Sequence, residues 1–153
     1  MTALDLEQTF WRTFLANAPL LPGVDELLDY LRKNKIPIAI VTDLTSNIQM
    51  RKMTYFHLEE TFDAFVTSEE VGADKPDKRN FELVLRKLGL SKNNVIWMVG
   101  DNPYTDIIGG KTIGAVTFQR VKTLSEIGEK EYRPDFVFTH FKDFHKLVKN
   151  YIN

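Results

Sequence analysis

The chain contains no cysteine, which excludes a disulfide framework and any thiolate metal site. It also lacks an apolar run near the ~20 residues that a membrane-crossing helix needs. Its N-terminus has no basic stretch followed by an apolar core, so nothing there reads as a targeting segment. An excess of either charge is missing as well: 20 Lys and Arg face 21 Asp and Glu, a formal net charge of −1. That balance gives no electrostatic footprint for nucleic acid or for an anionic membrane. Internal repeats, low-complexity tracts and interdomain linkers are absent too. These absences lead to the expectation of a cytoplasmic protein with neither nucleic-acid nor membrane partners, and 153 residues suit one domain with a single core.

What is present alternates between two periodicities. Leu4 to Ala16 places Leu4, Phe10, Trp11, Phe14 and Leu15 at helical spacing, and Pro19 to Gly23 breaks the pattern. Val24 to Lys33 is a second helix with Leu27, Leu28 and Leu31 as its apolar stripe. Ile36 to Val41 is a nearly continuous β-branched run, the mark of a strand covered on both faces. Helix then follows over Asn47–Phe56, strand over Ala64–Ser68 and helix over Lys78–Leu88. A second buried strand spans Val95–Val99, followed by helix Thr105–Thr112 and strand Ala115–Phe118. A last strand, Phe136–Thr139, leads into helix Phe141–Tyr151. Strand alternating with helix predicts an α/β fold: a doubly wound, mainly parallel sheet with helices on both faces and ligands at the strands' carboxyl ends.

Three motifs fall at or beside those ends. The first apolar strand stops at Thr42-Asp43, the second motif is Gly72-Ala73-Asp74-Lys75-Pro76-Asp77, and the third is Gly100-Asp101-Asn102-Pro103-Tyr104-Thr105-Asp106. A hydroxyl ahead of a helix N-terminus is a natural holder of a phosphoryl oxygen, and equally a helix cap. Asp43 is the weaker candidate, since it could be the cap or face solvent. Pro76 biases Lys75 away from helix and presents its ammonium from a rigid loop. Asp101 at a strand end and Asp106 at the next helix start bring together the oxygen ligands a hard cation requires, or else form a pair of acids facing a helix dipole. His57, His140 and His145 show no ligand or triad spacing, and Trp11, Trp97 and the eleven Phe residues read as core.

Taken together and in this order, the motifs resemble the second, third and fourth motifs of the haloacid dehalogenase (HAD) superfamily, whose commonest members are Mg-dependent phosphohydrolases. The separations are comfortable for that family, 33 residues from Thr42 to Lys75 and 26 from Lys75 to Asp101. The resemblance runs from about Leu20 to Arg120 and includes Leu21-Pro22-Gly23-Val24 and Val66-Thr67-Ser68-Glu69-Glu70-Val71-Gly72, which are similar to capped phosphatases. It implies a HAD-like Rossmannoid core over residues 19–153. It further implies that Thr42, with Asp43, binds phosphate and that Lys75 neutralises phosphoryl charge. Asp101 and Asp106 would hold Mg2+.

The family's first motif, Asp-x-Asp-x-Thr/Val on a buried strand, carries the nucleophile. The one similar stretch is Asp5-Leu6-Glu7-Gln8-Thr9-Phe10, in which Asp5 would be the nucleophile and Glu7 the acid/base. Only four residues precede Asp5, and Gln8 stands where the family uses Gly. Residues 1–18 read instead as the last helix of a helical cap, which leaves the first central strand of the sheet missing. Two functions follow from the resemblance. One is a hydrolase acting on a small phosphorylated metabolite, incomplete or weakly active as this chain. The other is a non-catalytic relative serving as a phosphate- and Mg-binding or assembly module. The unfilled strand position implies a homo-oligomer or a complementing chain.

Overall fold

Thr2 starts the first helix, α1 (Ala3–Ala16), through a reciprocal cap. Its hydroxyl accepts from the Asp5 N–H at 3.1 Å, and the Asp5 carboxylate accepts from the Thr2 N–H at 2.7 Å. Those Thr2 donors, the backbone N–H first, hold the Asp5 carboxyl below its ordinary range. Asp5 therefore sits on a helix as a capping residue and on no strand. This is the computed structural model of the chain, and it describes residues 1–152.

The aromatic residues of α1 depart from the expectation that they are core. Phe10 and Phe14 are 57% and 43% exposed, and only Leu15 of this helix is buried. The helix touches the rest of the chain through the Glu7–Arg51 ion pair at 2.9 Å and through Lys52, whose ammonium lies 5.9 Å from the Phe14 ring centre. Its apolar face has no packed layer against it among the described residues, so its rings stay wet.

Further elements follow in the expected order. They are α2 (Val24–Lys33), β1 (Ala39–Thr42), α3 (Ser46–Tyr55), β2 (Ala64–Thr67), α4 (Ser68–Val71) and α5 (Lys78–Lys87). After β3 (Trp97–Gly100) comes a π-helical turn over Pro103–Ile107 that runs into α6 (Ile108–Thr112). Then follow β4 (Val116–Arg120), two short 3-10 turns, β5 (Phe136–Phe138) and α7 (Phe141–Ile152). All strand pairs are parallel. Residues 97 and 99 face α2 and α7 in a cluster around Leu27, Phe118, Phe144 and Val148, while residues 96 and 98 face α5 around Phe81 and Leu85. Alternation along one strand thus covers the sheet layer with helices on both faces. The α/β architecture with parallel strands is the expected one.

Three local expectations are corrected. The first strand begins at Ala39, not Ile36, because the Ile36 N–H closes the end of α2 on Leu31 O and Pro37 has no N–H for a ladder. The third begins at Trp97, since Val95 lies 71% exposed ahead of the ladder. The helix expected from Thr105 starts two residues earlier. Asn102 caps it by accepting the Tyr104 N–H, and Pro103 occupies the first turn, where a missing N–H goes unnoticed.

The strands form two sheets. One is β1–β2, the other β3–β4–β5, and β1 and β3 each have one hydrogen-bonded neighbour. The two apolar runs read as covered on both faces are consequently half-buried or exposed. Ala39, Ile40 and Val41 of β1 and all four residues of β3 are intermediate in exposure. Their neighbours bury more: Val66 of β2 is 0% exposed and Phe118 of β4 is 2%. The histidines form no bonds to the motif residues among the described residues. His57 adopts a positive φ after α3, His140 precedes α7, and His145 packs 5.1 Å from the Tyr30 ring.

Candidate active site at the strand ends

β1 ends on Thr42, which is 8% exposed. Its hydroxyl oxygen accepts from the Leu44 N–H at 3.2 Å and from Gln49 Nε2 at 2.6 Å. The hydroxyl proton stays available to an external acceptor. Thr42 does not cap α3, as the alternative reading of it had it: the N-cap position is Thr45, and the first N–H of α3, on Ser46, is taken by Glu69 Oε2 at 2.9 Å. Asp43 turns back over the loop ahead of α5, where its Oδ1 accepts from the Lys75 N–H at 2.8 Å. Asp43 is thus no cap; it stays exposed while holding the Lys75 loop.

The loop carrying Lys75 is held from three sides. Gly72 ends α4 at φ +75°, a left-handed conformation that suits glycine. Asn80, 0% exposed, donates to Ala73 O at 2.9 Å and to Asp77 O at 3.2 Å. The Lys75–Pro76 peptide is cis. Lys75 then reaches across to Asp106, its ammonium 2.6 Å from Oδ1, with the two side chains 12% and 8% exposed.

Both carboxylate oxygens of Asp106 accept from protein donors. Besides Lys75 on Oδ1, its Oδ2 accepts the N–H groups of Asp101 at 3.2 Å and Asn102 at 3.1 Å. These bonds fix the turn that follows β3. Gly100 makes the approach possible, since a Cβ there would overlap the Asp106 Cβ and carboxyl. Asp101 itself is exposed, and its carboxylate accepts no protein hydrogen bond among the described residues. Its backbone carbonyl accepts from Gln119 Nε2 at 3.1 Å.

One chain of bonds, Asp43 to Lys75 to Asp106 to Asp101, therefore ties the carboxyl end of β1 to that of β3. Thr42, Asp43, Lys75, Asp101 and Asp106, spread over 64 positions of the sequence from 42 to 106, share one locale. The locale holds three carboxylates, Asp43, Asp101 and Asp106, against the one Lys75 ammonium, which pairs with Asp106, a balance that favours a cation. The donors on offer are hard oxygens. Among the described residues no group of three His, Cys, Asp or Glu is preassembled as a metal cluster. Such a donor set suits magnesium, which binds through one or two carboxylates and keeps several waters.

Three supporting residues escaped the sequence reading: Gln49 on the Thr42 hydroxyl, Asn80 under the lysine loop, and Gln119 beneath Asp101. Gln119 is 0% exposed, donates also to Glu126 O at 2.7 Å and accepts from the Gly128 N–H at 3.1 Å. The signal for it was visible as a lone amide inside the apolar run Val116-Thr117-Phe118-Gln119. Gln49 and Asn80, in the first turns of their helices, gave no comparable signal.

The profile of the haloacid dehalogenase-like hydrolase family matches residues 7–119, a span that encloses the whole locale. The chain belongs to that family. Among curated relatives of this HAD chain, a ribulose-1,5-bisphosphate 5-phosphatase of Halopiger xanaduensis is 36% identical over 115 residues, 75% of this chain and 48% of the relative. A pyrimidine 5'-nucleotidase of Escherichia coli is 38% identical over 97 residues, 63% of this chain and 43% of the relative. The chain thus spans about half the length of the curated relatives it matches. The crystal structure of a HAD phosphatase from Thermococcus onnurineus superposes with a TM-score of 0.80 at 21% identity, covering 93% of this chain and 64% of that one. At that identity the likeness speaks for the fold. HAD membership, phosphatase relatives and the Rossmann-like fold all agree with the resemblance read from the motifs. No helix among the described residues is long and apolar enough to cross a membrane.

Proposed function

We propose that this chain carries the phosphate- and magnesium-binding part of a HAD phosphohydrolase site for a small phosphorylated metabolite. The observation that carries the reading is the bonded path from Asp43 through Lys75 and Asp106 to Asp101, which brings the three motifs to one end of the sheet layer. The relatives named for phosphate removal from a sugar bisphosphate and from nucleotides support the substrate class. Residues 1–18 are read as a remnant of a helical cap, and the unpacked face of α1 supports this.

On this reading each residue has a distinct task. Thr42 donates its hydroxyl proton to a phosphoryl oxygen. Lys75, fixed by Asp106, sets a positive charge beside the phosphoryl group, where charge stabilisation counts for most. Asp101 offers the free carboxylate to the cation, and Asp106 keeps the Asp101 turn and Lys75 in place and contributes its charge to the cation's field. Magnesium, when bound, polarises the phosphoryl oxygens and orients them. The covalent step of the family needs a carboxylate nucleophile, and Asp5 is committed to capping α1. That commitment counts against Asp5 as the nucleophile; the second reading is a module that binds Mg2+ and phosphate without turning substrate over.

Hydrolysis of an aryl phosphate with and without Mg2+ tests the proposal. Any Mg-dependent rate is expected to fall about 100-fold or more in Asp101→Ala, as loss of several kcal/mol of metal assistance implies, and to persist in Asp5→Asn. A rate unchanged in Asp101→Ala would overturn the site. No rate in the wild-type chain, with phosphate binding retained, selects the module.

A further inference from the structure

We propose that Gln119 is a positioning residue for Asp101, and that the segment between β4 and β5 is the brace through which it acts. The proposal rests on the reading of Asp101 as a cation ligand, while the hold of Gln119 on the Asp101 turn stands on geometry alone.

The direction of the Asp101 carboxylate is set by its backbone. That carboxylate accepts no protein hydrogen bond among the described residues, so the two peptide groups flanking its Cα decide where its oxygens point. The preceding peptide is fixed at its N–H, which Asp106 Oδ2 accepts at 3.2 Å. The following peptide is held at both ends: Asp106 Oδ2 accepts the Asn102 N–H at 3.1 Å, and Gln119 Nε2 donates to Asp101 O at 3.1 Å. Asp106 thus holds the two N–H groups and Gln119 holds the carbonyl. Without Gln119 the second peptide is pinned at one end only and is free to tilt, and the carboxylate swings with it.

The position of Gln119 in β4 explains its reach. It is paired with Gly100 in the parallel ladder, one residue short of Asp101. Two carbonyls, of Asp101 and Glu126, face its nitrogen, and the Gly128 N–H faces its oxygen at 3.1 Å. A neutral primary amide is the group that supplies two donors and an acceptor in this arrangement.

Glu126 and Gly128 lie in the segment after β4, and that segment grips the cation turn from outside. A Cβ at Gly128 would overlap both Tyr132 O and Pro103 Cβ, so the segment lies directly on the turn after β3. The Tyr132 ring packs 4.8 Å from that of Tyr104. Lys111 of α6, the helix that continues the turn, donates to Glu131 O at 2.9 Å and to Arg133 O at 2.6 Å. At its far end the segment returns to β4, where Asp135 Oδ2 accepts the Thr117 N–H at 2.8 Å and hydroxyl at 2.7 Å. Gln119 therefore joins the turn to a segment that is itself anchored at both ends. Magnesium demands a near-ideal arrangement of oxygens, and groups that orient a metal ligand typically cost about 10–100-fold in metal affinity when removed.

Three variants test this. Gln119→Glu keeps the shape and the acceptor for the Gly128 N–H but sets an oxygen against two carbonyls, and Gln119→Met removes all three bonds. Lys111→Met frees Glu131 O and Arg133 O while leaving the buried amide in place, and it carries the test should the Gln119 variants not fold. In the metal-free chain, amide exchange at Asp101 and Asn102 is expected to quicken about tenfold in both Gln119 variants and by less in Lys111→Met. The Lys75 N–H, held by Asp43, is expected to keep its rate. Mg2+ titration, read by NMR at the same amides, is expected to show affinity weakened about 10–100-fold in the Gln119 variants. A merely structural amide would lower stability and leave the Mg2+ affinity of the folded chain as it is. Should the wild-type chain take up no Mg2+, faster exchange confined to Asp101 and Asn102 keeps Gln119 as the tie of this turn and counts against the cation reading. Unchanged exchange at Asp101 and Asn102, equal quickening at Lys75, or wild-type Mg2+ affinity in a folded Gln119 variant would each overturn the proposal, and unchanged exchange in Lys111→Met would overturn the brace.

Discussion

Replacing Asp106 with alanine is expected to destabilise the chain by ~3–5 kcal/mol, the range for removing one partner of a buried ion pair. For a domain of this size that is a fall in melting temperature of roughly 10 °C. The reason lies in what Asp106 holds. Its loss strands the ammonium of Lys75, whose side chain is only 12% exposed, and leaves the N–H groups of Asp101 and Asn102 without their acceptor. The turn after β3 and the loop ahead of α5 then lose their common anchor. Asp106→Asn keeps an acceptor for the two N–H groups and gives up the charge, so it is expected to fall between alanine and wild type. Urea unfolding of the three proteins measures this, and an alanine variant as stable as wild type would show that the tie between the strand ends is not structural.

Gly100→Ala is expected to damage the site more than the fold, for a different reason. The new methyl group would overlap the Cβ and carboxyl of Asp106, and neither can retreat without pulling on Lys75 or on the Asp101 turn. Overpacking of this kind costs ~1–3 kcal/mol. The site is expected to suffer more than the fold, because any relief moves Asp101 or Asp106. Gly72→Ala provides the contrast. A Cβ at Gly72 meets nothing within 4 Å, and its only penalty is the positive φ of 75°, ~1–2 kcal/mol. Thermal melts with phosphate-binding measurements separate the two: Gly72→Ala should keep binding, and Gly100→Ala should lose it. Equal binding in both would mean that the Gly100–Asp106 approach does not govern the site.

The motif residues were legible through their order and spacing. A lysine before Pro76 or a carboxylate after Gly100 has plain structural uses when met alone, and only the sequence of three motifs at strand ends singled them out. The helix order was equally readable, since α2 and α7 each carry a clean apolar stripe. What the sequence concealed was contact across long separations. Nothing local in Asp43 says that it will hold Lys75 32 residues away, and nothing in Asp106 says that both of its oxygens will be occupied by protein donors. The exposure of β1 and β3 was hidden for the same reason: a β-branched run reports that a strand wants cover, and only the topology reports whether cover is present. Phe10 and Phe14 were misread likewise, because helical spacing reveals an apolar face without naming its partner.

Thr42, Lys75 and Asp101 are proposed to form a magnesium-dependent phosphate site. The most direct measurement is titration of the chain with inorganic phosphate, with and without Mg2+, read at backbone amides by NMR. Saturable shifts at Thr42–Leu44, Lys75 and Asp101–Asn102 that require Mg2+ and vanish in Asp101→Ala are the expected result. Shifts that ignore Mg2+, survive Asp101→Ala or fall elsewhere on the chain would contradict it.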